Sequence, residues 1–366
     1  LKGVGRSLSS LNITVIGAGN AGTTVAADLS FKGHKVTLLK SSHSHSNHFN
    51  KLCSNGGVVQ VEDLDKTYSA KLLKVTTAME DALTDQTDLI IIFIQTNYHE
   101  ELIKRIAPYL HNDQVILIEP GYLSTAYFNK YCSQKKLIIA EAESSPIDCR
   151  IVGNGKVKVL FKNIRNPIGI YPDSRKDEAM KILDELDYHF TLLDSVVEAA
   201  LHNPNLIVHT VGAIMSIPRI EYTRGNNYWM YREVFTPSVW NLVERLDDEK
   251  MAVLKALRLN PLPYVEACKF RNSKDLSVDA KQVFFQYARN HSPSGPTISN
   301  SRYVTEDVPE GLVLLESLGQ VLGISTKVCS SLINIASACL QVDFRKEGRT
   351  VERLGYENIM KIIEFH

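Results

Sequence analysis

The sequence predicts two folded domains, an α/β domain built on a doubly wound parallel sheet and a mostly helical domain after it. Three observations carry this. At 366 residues the chain exceeds one typical core and fits two domains of about 150 to 200 residues. Residues 11–193 alternate β-prone runs with helical patterns. From residue 194 onward the strand signals nearly vanish and helical periodicity takes over. The domains are therefore read as 11–193 and 194–366, with residues 1–10 a polar leader or expression remnant outside both.

The first domain opens with Asn12 to Ile16, a short β-prone run that enters Gly17-Ala18-Gly19-Asn20-Ala21-Gly22. Helical periodicity follows from Thr23 to Phe31, Gly33 ends that helix, and Lys35 to Leu39 supplies the second strand. This is the βαβ context of a dinucleotide-binding fingerprint. Gly17 permits the tight turn, Gly19 lets the backbone approach a pyrophosphate, and Gly22 lets helix and strand pack closely, with Asn20 and Ala21 at the helix N-terminus facing the phosphate charge. The alternation continues through strand Leu89 to Ile94, helix Tyr98 to Leu110, strand Gln114 to Glu119, helix Leu123 to Cys132 and strand Leu137 to Ala142. That succession is a Rossmann-type sheet. Gly57 to Glu62 and Tyr68 to Val75 read as a strand pair, and Asp148 to Phe161 as a hairpin turning at Gly153-Asn154-Gly155, both as additions to the same sheet. A helix from Ser174 to Tyr188 and a strand at Phe190 to Leu193 close the domain.

The second domain reads as helices over Val196 to Leu201, Leu206 to Ser216, Pro237 to Leu259, Leu262 to Phe270, Pro309 to Leu322, Lys327 to Leu340 and Val351 to Ile363. A Rossmann domain followed by such a domain is expected to place chemistry in the cleft between them.

Composition excludes several classes. Lys plus Arg and Asp plus Glu number 41 each, so no bulk charge steers the chain to nucleic acid or a membrane surface. The longest apolar runs, such as Leu89 to Ile94, fall far short of the roughly 20 residues that cross a bilayer. The six cysteines lack any Cys-x-x-Cys pair or framework spacing, which points to reduced residues in a reducing, cytoplasmic compartment.

The end of the second strand bears on the cofactor. An NAD site normally has an acid there for the ribose hydroxyls. Here the sequence reads Lys40-Ser41-Ser42-His43, with no carboxylate between Asp28 and Glu62. A cation and two hydroxyls suit a 2′-phosphate, which favours NADP(H). The other reading leaves Lys40 a solvated loop residue and NAD held by backbone contacts. Nearby His43, His45 and His48 either chelate a metal or line the adenosine end, but no further ligand is suggested, so a mobile, silent loop is expected and no metal is assigned.

Two segments of the second domain carry candidate chemistry. In Leu201-His202-Asn203-Pro204-Asn205 polar groups interrupt an apolar stretch, and helical spacing puts His202 and Asn205 on one face, with His209 two turns on. The competing account has His202 merely satisfying carbonyls freed by Pro204. The second segment, Ser301-Arg302-Tyr303-Val304-Thr305-Glu306-Asp307-Val308-Pro309, supplies a guanidinium for bidentate carboxylate capture and two acids able to orient a histidine, or else only a helix cap.

Taken together, the Gly17 to Gly22 fingerprint, the His202 to Asn205 motif, and the Ser301 to Asp307 motif followed by Pro309 and Gly311 resemble the octopine/nopaline (opine) dehydrogenase family. The similarity reaches Gly348-Arg349-Thr350 and Leu354-Gly355 near the end. It implies reductive condensation: an α-keto acid and the amino group of an amino acid form an imine, which NAD(P)H reduces. It also implies His202 as general acid/base, Asp307 as the acid that orients it, Arg302 on a substrate carboxylate and Asn205 positioning substrate or nicotinamide. Gln95-Thr96 and Pro120-Gly121, which leave Rossmann strands, are expected to line the nicotinamide pocket. The amine's side chain would meet Tyr228, Trp229, Tyr231, Arg232 and Glu233, where Glu233 either meets a basic substrate or forms a structural ion pair. A homodimer is the favoured assembly. Two rivals remain. A 2-dehydropantoate or β-hydroxyacid type reductase would use a lysine early in the second domain, and no Lys occurs between Lys181 and Lys250. A non-catalytic NADP(H)-binding redox sensor would need no acid/base pair at all.

Overall fold

The computed structural model describes residues 9–364, so residues 1–8 of the expected leader lie outside the described residues. The chain divides into two compact units, residues 1–119 with 127–191, and residues 120–126 with 192–366. The short segment Pro120–Ala126, read from sequence as part of the first domain, thus groups with the second.

The first unit holds β1 (Asn12–Ile16), β2 (Lys35–Leu39), β3 (Val58–Asp63), β4 (Lys66–Lys71), β5 (Lys74–Thr76), β6 (Leu89–Ile92), β7 (Val115–Ile118), β8 (Ile138–Ala142), β9 (Ile147–Gly153), β10 (Lys156–Lys162), β11 (Asn166–Tyr171) and β12 (Phe190–Leu192). Eight of them form one sheet in the order β12-β11-β8-β7-β6-β1-β2-β5. Pairing is parallel from β8 through β5, and β11 joins β8 antiparallel. The central strands read LIII, VILI and IIAEA and are buried throughout, as expected of a sheet covered on both faces. The order reverses at β1, with β2 on one side and β6 on the other, which is the switch point where such sheets bind ligands.

Two expectations need correction. The pair β3/β4 and the hairpin β9/β10 form, but as a separate four-stranded sheet in the order β4-β3-β10-β9, not as additions to the large one. The parallel bond between β10 and β3 joins the two hairpins edge to edge and satisfies edges that would otherwise be open. The run expected as one strand to Val75 breaks after Lys71, and its tail returns as β5 beside β2. The sequence reading also missed β11, whose Asn166-Pro167 start and internal Gly169 weaken the strand signal.

The second unit is all helical among its described residues. The helices at Val196–Leu201, Asn205–Met215, Pro237–Ala256, Tyr264–Asn272 and Lys327–Leu340 follow the expected periodicity. The last expected helix is split into Val351–Leu354 and Tyr356–Ile363, because Gly355 sits at φ 91°. The helix expected from Pro309 begins as a π turn, Val308–Leu312, before Val313–Leu322 continues it. Such bulges are frequent at functional sites. Helices at Ile217–Thr223, Ala280–Asn290 and Arg302–Thr305 were not expected. No helix among the described residues is long and apolar enough to cross a membrane.

Candidate active site

The dinucleotide fingerprint of the first unit has the geometry its glycines require. Gly17 lies at φ 114°, and a Cβ there would meet the Phe93 carbonyl oxygen at 2.2 Å. A Cβ on Gly22 would stand 1.8 Å from the Gly17 carbonyl oxygen. The helix Asn20–Phe31 starts at Gly19 with no side-chain cap, and its first internal bond runs from Thr23 N to Gly19 O at 3.0 Å. The N–H groups of Asn20, Ala21 and Gly22 precede that bond, and a Cβ on Gly19 would meet nothing within 4 Å. An open space before an uncapped helix N-terminus suits a pyrophosphate. Asn20 contributes through its backbone, since its side-chain Oδ1 accepts from Ile151 N at 2.8 Å.

Lys40 does not stand free at the end of β2. Its Nζ donates to the carbonyls of Ser42 at 2.7 Å and Ser44 at 2.5 Å and to the Ser42 hydroxyl at 3.0 Å, and the residue is buried. It organises its own loop. The guanidinium that reaches this loop is Arg105, from the helix His99–Ile106, whose Nη1 donates to the Ser41 carbonyl at 2.9 Å. The expectation of a mobile histidine loop also fails at His48. It is buried beneath the fingerprint helix, with Nδ1 accepting from Gly155 N at 3.0 Å and Nε2 paired with the Thr23 hydroxyl at 3.2 Å. Burial lowers its pKa, so it is a neutral core residue. Among the described residues no cluster of His, Cys, Asp and Glu could hold a metal ion.

At the carboxyl ends of the central strands, Gln95 is half-buried and Thr96 buried, both following β6. Directly after β7 comes Glu119, which sequence reasoning passed over as a strand end. Its carboxyl is buried, neither oxygen has a partner within the protein, and burial raises its pKa well above the usual carboxylate range. An orphaned, protonated acid at this end of a Rossmann strand is a hydrogen-bond donor awaiting an acceptor. Gly121 is engaged otherwise: its carbonyl accepts from Arg349 Nη1 at 2.5 Å and from the Ser124 hydroxyl at 2.7 Å.

In the second unit the expected pair of His202 and Asp307 does not form. His202 ends the helix Val196–Leu201, its Nε2 lies 3.3 Å from the Asn260 carbonyl, and its Nδ1 is buried without a partner. Burial, assisted by the nearby Lys250 charge, pushes its pKa down to about 3. A ring held neutral in this way does not serve as an imidazolium acid near neutral pH. Pro204 is the physical reason. It separates two helices, so His202 turns into the core while the next helix starts a new register.

That new helix, Asn205–Met215, presents His209 instead. Its Nδ1 lies 2.9 Å from Asp307 Oδ2, and the Tyr303 ring stacks on the imidazole at 3.7 Å with planes 6° apart. Asp307 stands at the N-cap of the π turn and is fully buried, and burial raises its pKa against the hydrogen bond and charge of His209. Its other oxygen, Oδ1, accepts from the Tyr122 hydroxyl at 2.7 Å. With Nδ1 facing the carboxylate, Nε2 is the nitrogen left for proton exchange. Asn205, one turn before His209, shares its face and is half-buried. Arg302 pairs with Glu306 Oε2 at 2.9 Å and 3.1 Å while 61% of its side chain stays exposed, so part of the fork remains accessible. Glu233 pairs with Arg219 at 3.2 Å, Arg219 lies over Tyr228, and Arg232 lies over Trp229. Tyr231 is packed among Phe235, Phe284 and Tyr287. Of this expected specificity cluster, Glu233 is a structural ion pair. The one local signal for His209 was its i, i+4 spacing from Asn205 after Pro204.

Comparison with known proteins agrees with this two-part construction. Residues 192–340 match the model of the NAD/NADP octopine/nopaline dehydrogenase α-helical domain, and residues 13–156 match that of ketopantoate reductase PanE/ApbA. The opine dehydrogenase of Arthrobacter sp. (strain 1C) is 28% identical over 361 residues, covering 96% of this chain and 97% of that one. Vitopine synthase of Allorhizobium ampelinum is 23% identical over 96% of this chain and 98% of its own. Octopine dehydrogenase, solved with NADH and agmatine, superposes with a TM-score of 0.79 at 16% identity, over 97% of this chain and 98% of that one. The ketopantoate reductase family model matches only residues 13–156, although a solved reductase of that type superposes over 92% of the chain with a lower TM-score of 0.62, and the curated opine relatives span nearly the whole length. Over nearly its whole length the chain is thus similar to members of the octopine/nopaline (opine) dehydrogenase family.

Proposed function

We propose that the protein joins an α-keto acid to the amino group of an amino acid by NAD(P)H-dependent reductive condensation. The observation that carries this reading is the buried Asp307 bonded to His209 Nδ1, an acid/base pair on the family's helical domain. A redox sensor has no use for such a pair. Condensation first needs a proton at the departing oxygen of the carbinolamine, and His209 Nε2 is the group placed to give it, with Asp307 stabilising the imidazolium before that transfer. Arg302 binds a substrate carboxylate through the exposed part of its fork, and Asn205 orients the reactants beside His209. The bound cofactor supplies the hydride that reduces the imine carbon.

The residues present suit that cofactor. The N–H groups of Asn20 to Gly22 take the pyrophosphate, and Gln95, Thr96 and the protonated Glu119 carboxyl serve the nicotinamide end. NADP(H) is the preferred form on this reading, because the loop after β2 lacks an acid and is approached by Arg105. Yersinopine dehydrogenase, a 14%-identical structural neighbour with a TM-score of 0.70, has been solved with NADP+. All six thiols are free, which fits a reducing cytoplasm, and a homodimer is the assembly we expect.

The decisive test is oxidation of NADPH and NADH by purified protein with a keto acid, with and without an added amino acid. Turnover that requires the amine establishes the condensation. Turnover with keto acid alone would point to the reductase chemistry, and tight cofactor binding without turnover on a broad amine panel to a sensor.

A further inference from the structure

Asp307 has two carboxylate oxygens and each has its own donor: Tyr122 Oη on Oδ1 at 2.7 Å and His209 Nδ1 on Oδ2 at 2.9 Å. A carboxylate held by one donor still rotates about its Cβ–Cγ bond. Held by two, it presents one fixed oxygen to the imidazole, as orientation of a catalytic histidine demands. Tyr122 is itself elaborately seated. It is 1% exposed and lies at φ 44°, followed by Leu123 at φ 67°, two consecutive left-handed residues with side chains.

Arg349 holds that backbone in place. With no exposed surface, it donates through Nη1 to the carbonyls of Gly121 and Tyr122 and to the Ser124 hydroxyl, and through Nε to Glu310 Oε2. The π turn closes the other side: a Cβ on Gly311 would stand 3.0 Å from the Tyr122 ring. Arg349, Glu310 and Gly311 therefore shape a socket in which the Tyr122 ring has one position, with its hydroxyl on Asp307.

The geometry points to Tyr122 as a positioning residue for the His209–Asp307 pair, with Arg349 as the clasp that keeps its segment in place. The inference rests on the reading of that pair as the acid/base of the reaction. Its consequence for pH follows from the charges around Asp307. Burial raises the Asp307 pKa, and the bonds from His209 and Tyr122 oppose that rise. Glu306, the next residue back, adds to it while paired with Arg302, Glu310 is paired with Arg349, and the phenols of Tyr231 and Tyr303 complete the surroundings. Deleting the Tyr122 hydroxyl removes a bond that favours the charged carboxylate, so the acid must titrate at a higher pH.

The test compares Tyr122→Phe with His209→Ala and wild type in kcat, KM, NADPH affinity by fluorescence, and the pH profile of kcat/KM. For Tyr122→Phe we expect kcat to fall roughly ten- to hundredfold, the loss of one hydrogen bond to a charged group. KM and NADPH affinity should stay within about threefold of wild type and the acid limb of the profile should move to higher pH. Gly311→Ala, whose Cβ would press on the hydroxyl end of the Tyr122 ring, 3.0 Å from both Cζ and Oη, without deleting the hydroxyl, should move the acid limb the same way and stands in if Tyr122→Phe does not fold. An unchanged kcat and acid limb in the variants, with His209→Ala inactive, would overturn the positioning role and leave the acid/base reading intact. Full turnover by His209→Ala would remove that reading and this inference with it.

Discussion

His209 Nδ1 and Asp307 Oδ2 meet at 2.9 Å across 98 residues of sequence, so the carboxylate stands beside a different histidine from the one the local motif suggests. The expected outcome is a clean separation of two histidine variants. His209→Ala should lose a hundredfold or more in kcat, within the range of about 10²–10⁴ for a general acid/base, while NADPH still binds. His202→Ala should keep kcat within a few fold and instead lose about 1–3 kcal/mol of stability from the emptied site and the unpaired Asn260 carbonyl. Steady-state kinetics and denaturant unfolding read the two effects independently.

His202 also predicts a pH dependence of stability. Its folded pKa of about 3 lies below the 6.5 of an ordinary histidine, so the unfolded chain binds the extra proton first. The stability it contributes is complete above pH 6.5 and is lost as pH falls toward 3. One proton sets a slope of at most about 1.4 kcal/mol per pH unit in that window. Urea titrations at stepped pH should show His202→Gln with a shallower acid loss than wild type. Parallel slopes would show that His202 is not held neutral.

Asp307 runs the other way. Because burial raises its pKa, the folded state disfavours the ionised form more than the unfolded chain does, and the carboxylate that the proposed reaction uses is held at a cost to stability at neutral pH. Asp307→Asn should therefore abolish most turnover while leaving the melting temperature unchanged or higher. A large drop in melting temperature would show that the acid is chiefly a structural tie.

On the cofactor side, Arg105 and Lys40 should behave differently. Arg105→Ala is expected to weaken NADPH about ten- to hundredfold and NADH hardly at all, because a 2′-phosphate would lose one charge-assisted bond. Lys40→Ala should weaken both cofactors alike, since its ammonium ties Ser42 and Ser44 into the loop on which either would rest. Isothermal titration with both dinucleotides separates the cases. Equal loss of NADPH and NADH in Arg105→Ala would argue against a role at the 2′ position.

Gly22→Ala tests the fingerprint itself. A Cβ 1.8 Å from the Gly17 carbonyl oxygen forces the helix off the strand, at a cost on the order of 3 kcal/mol and with loss of dinucleotide binding. Calorimetry with and without NADPH would detect both, and unaltered binding would refute the close-packing account.

What was legible in the sequence was what neighbouring residues dictate among themselves. The Gly17 to Gly22 turn depends on contacts within one βαβ unit, and the buried strands Leu89–Ile92 and Val115–Ile118 announce themselves by apolar runs. Five helices of the second half, from Val196–Leu201 to Lys327–Leu340, followed the same local periodicity. Even the segments of the candidate site were visible, since Asn205, Arg302 and Asp307 were singled out by residue type and spacing.

Which atoms meet was decided only by tertiary structure. Pro204 breaks a helical register that spacing alone would continue, and that break turns His202 inward and leaves His209 for Asp307. Arg349 reaches Gly121 and Tyr122 across more than two hundred residues, and the Tyr122 hydroxyl completes Asp307. Lys40 looked like a free cation because its loop carbonyls acquire positions only on folding. The sequence alone determined the two-domain plan and the dinucleotide fingerprint, because both follow from short-range sterics and periodic burial. Which histidine meets Asp307, and the seat of that carboxylate, arose only in the folded chain, because buried charges are placed by partners distant in sequence.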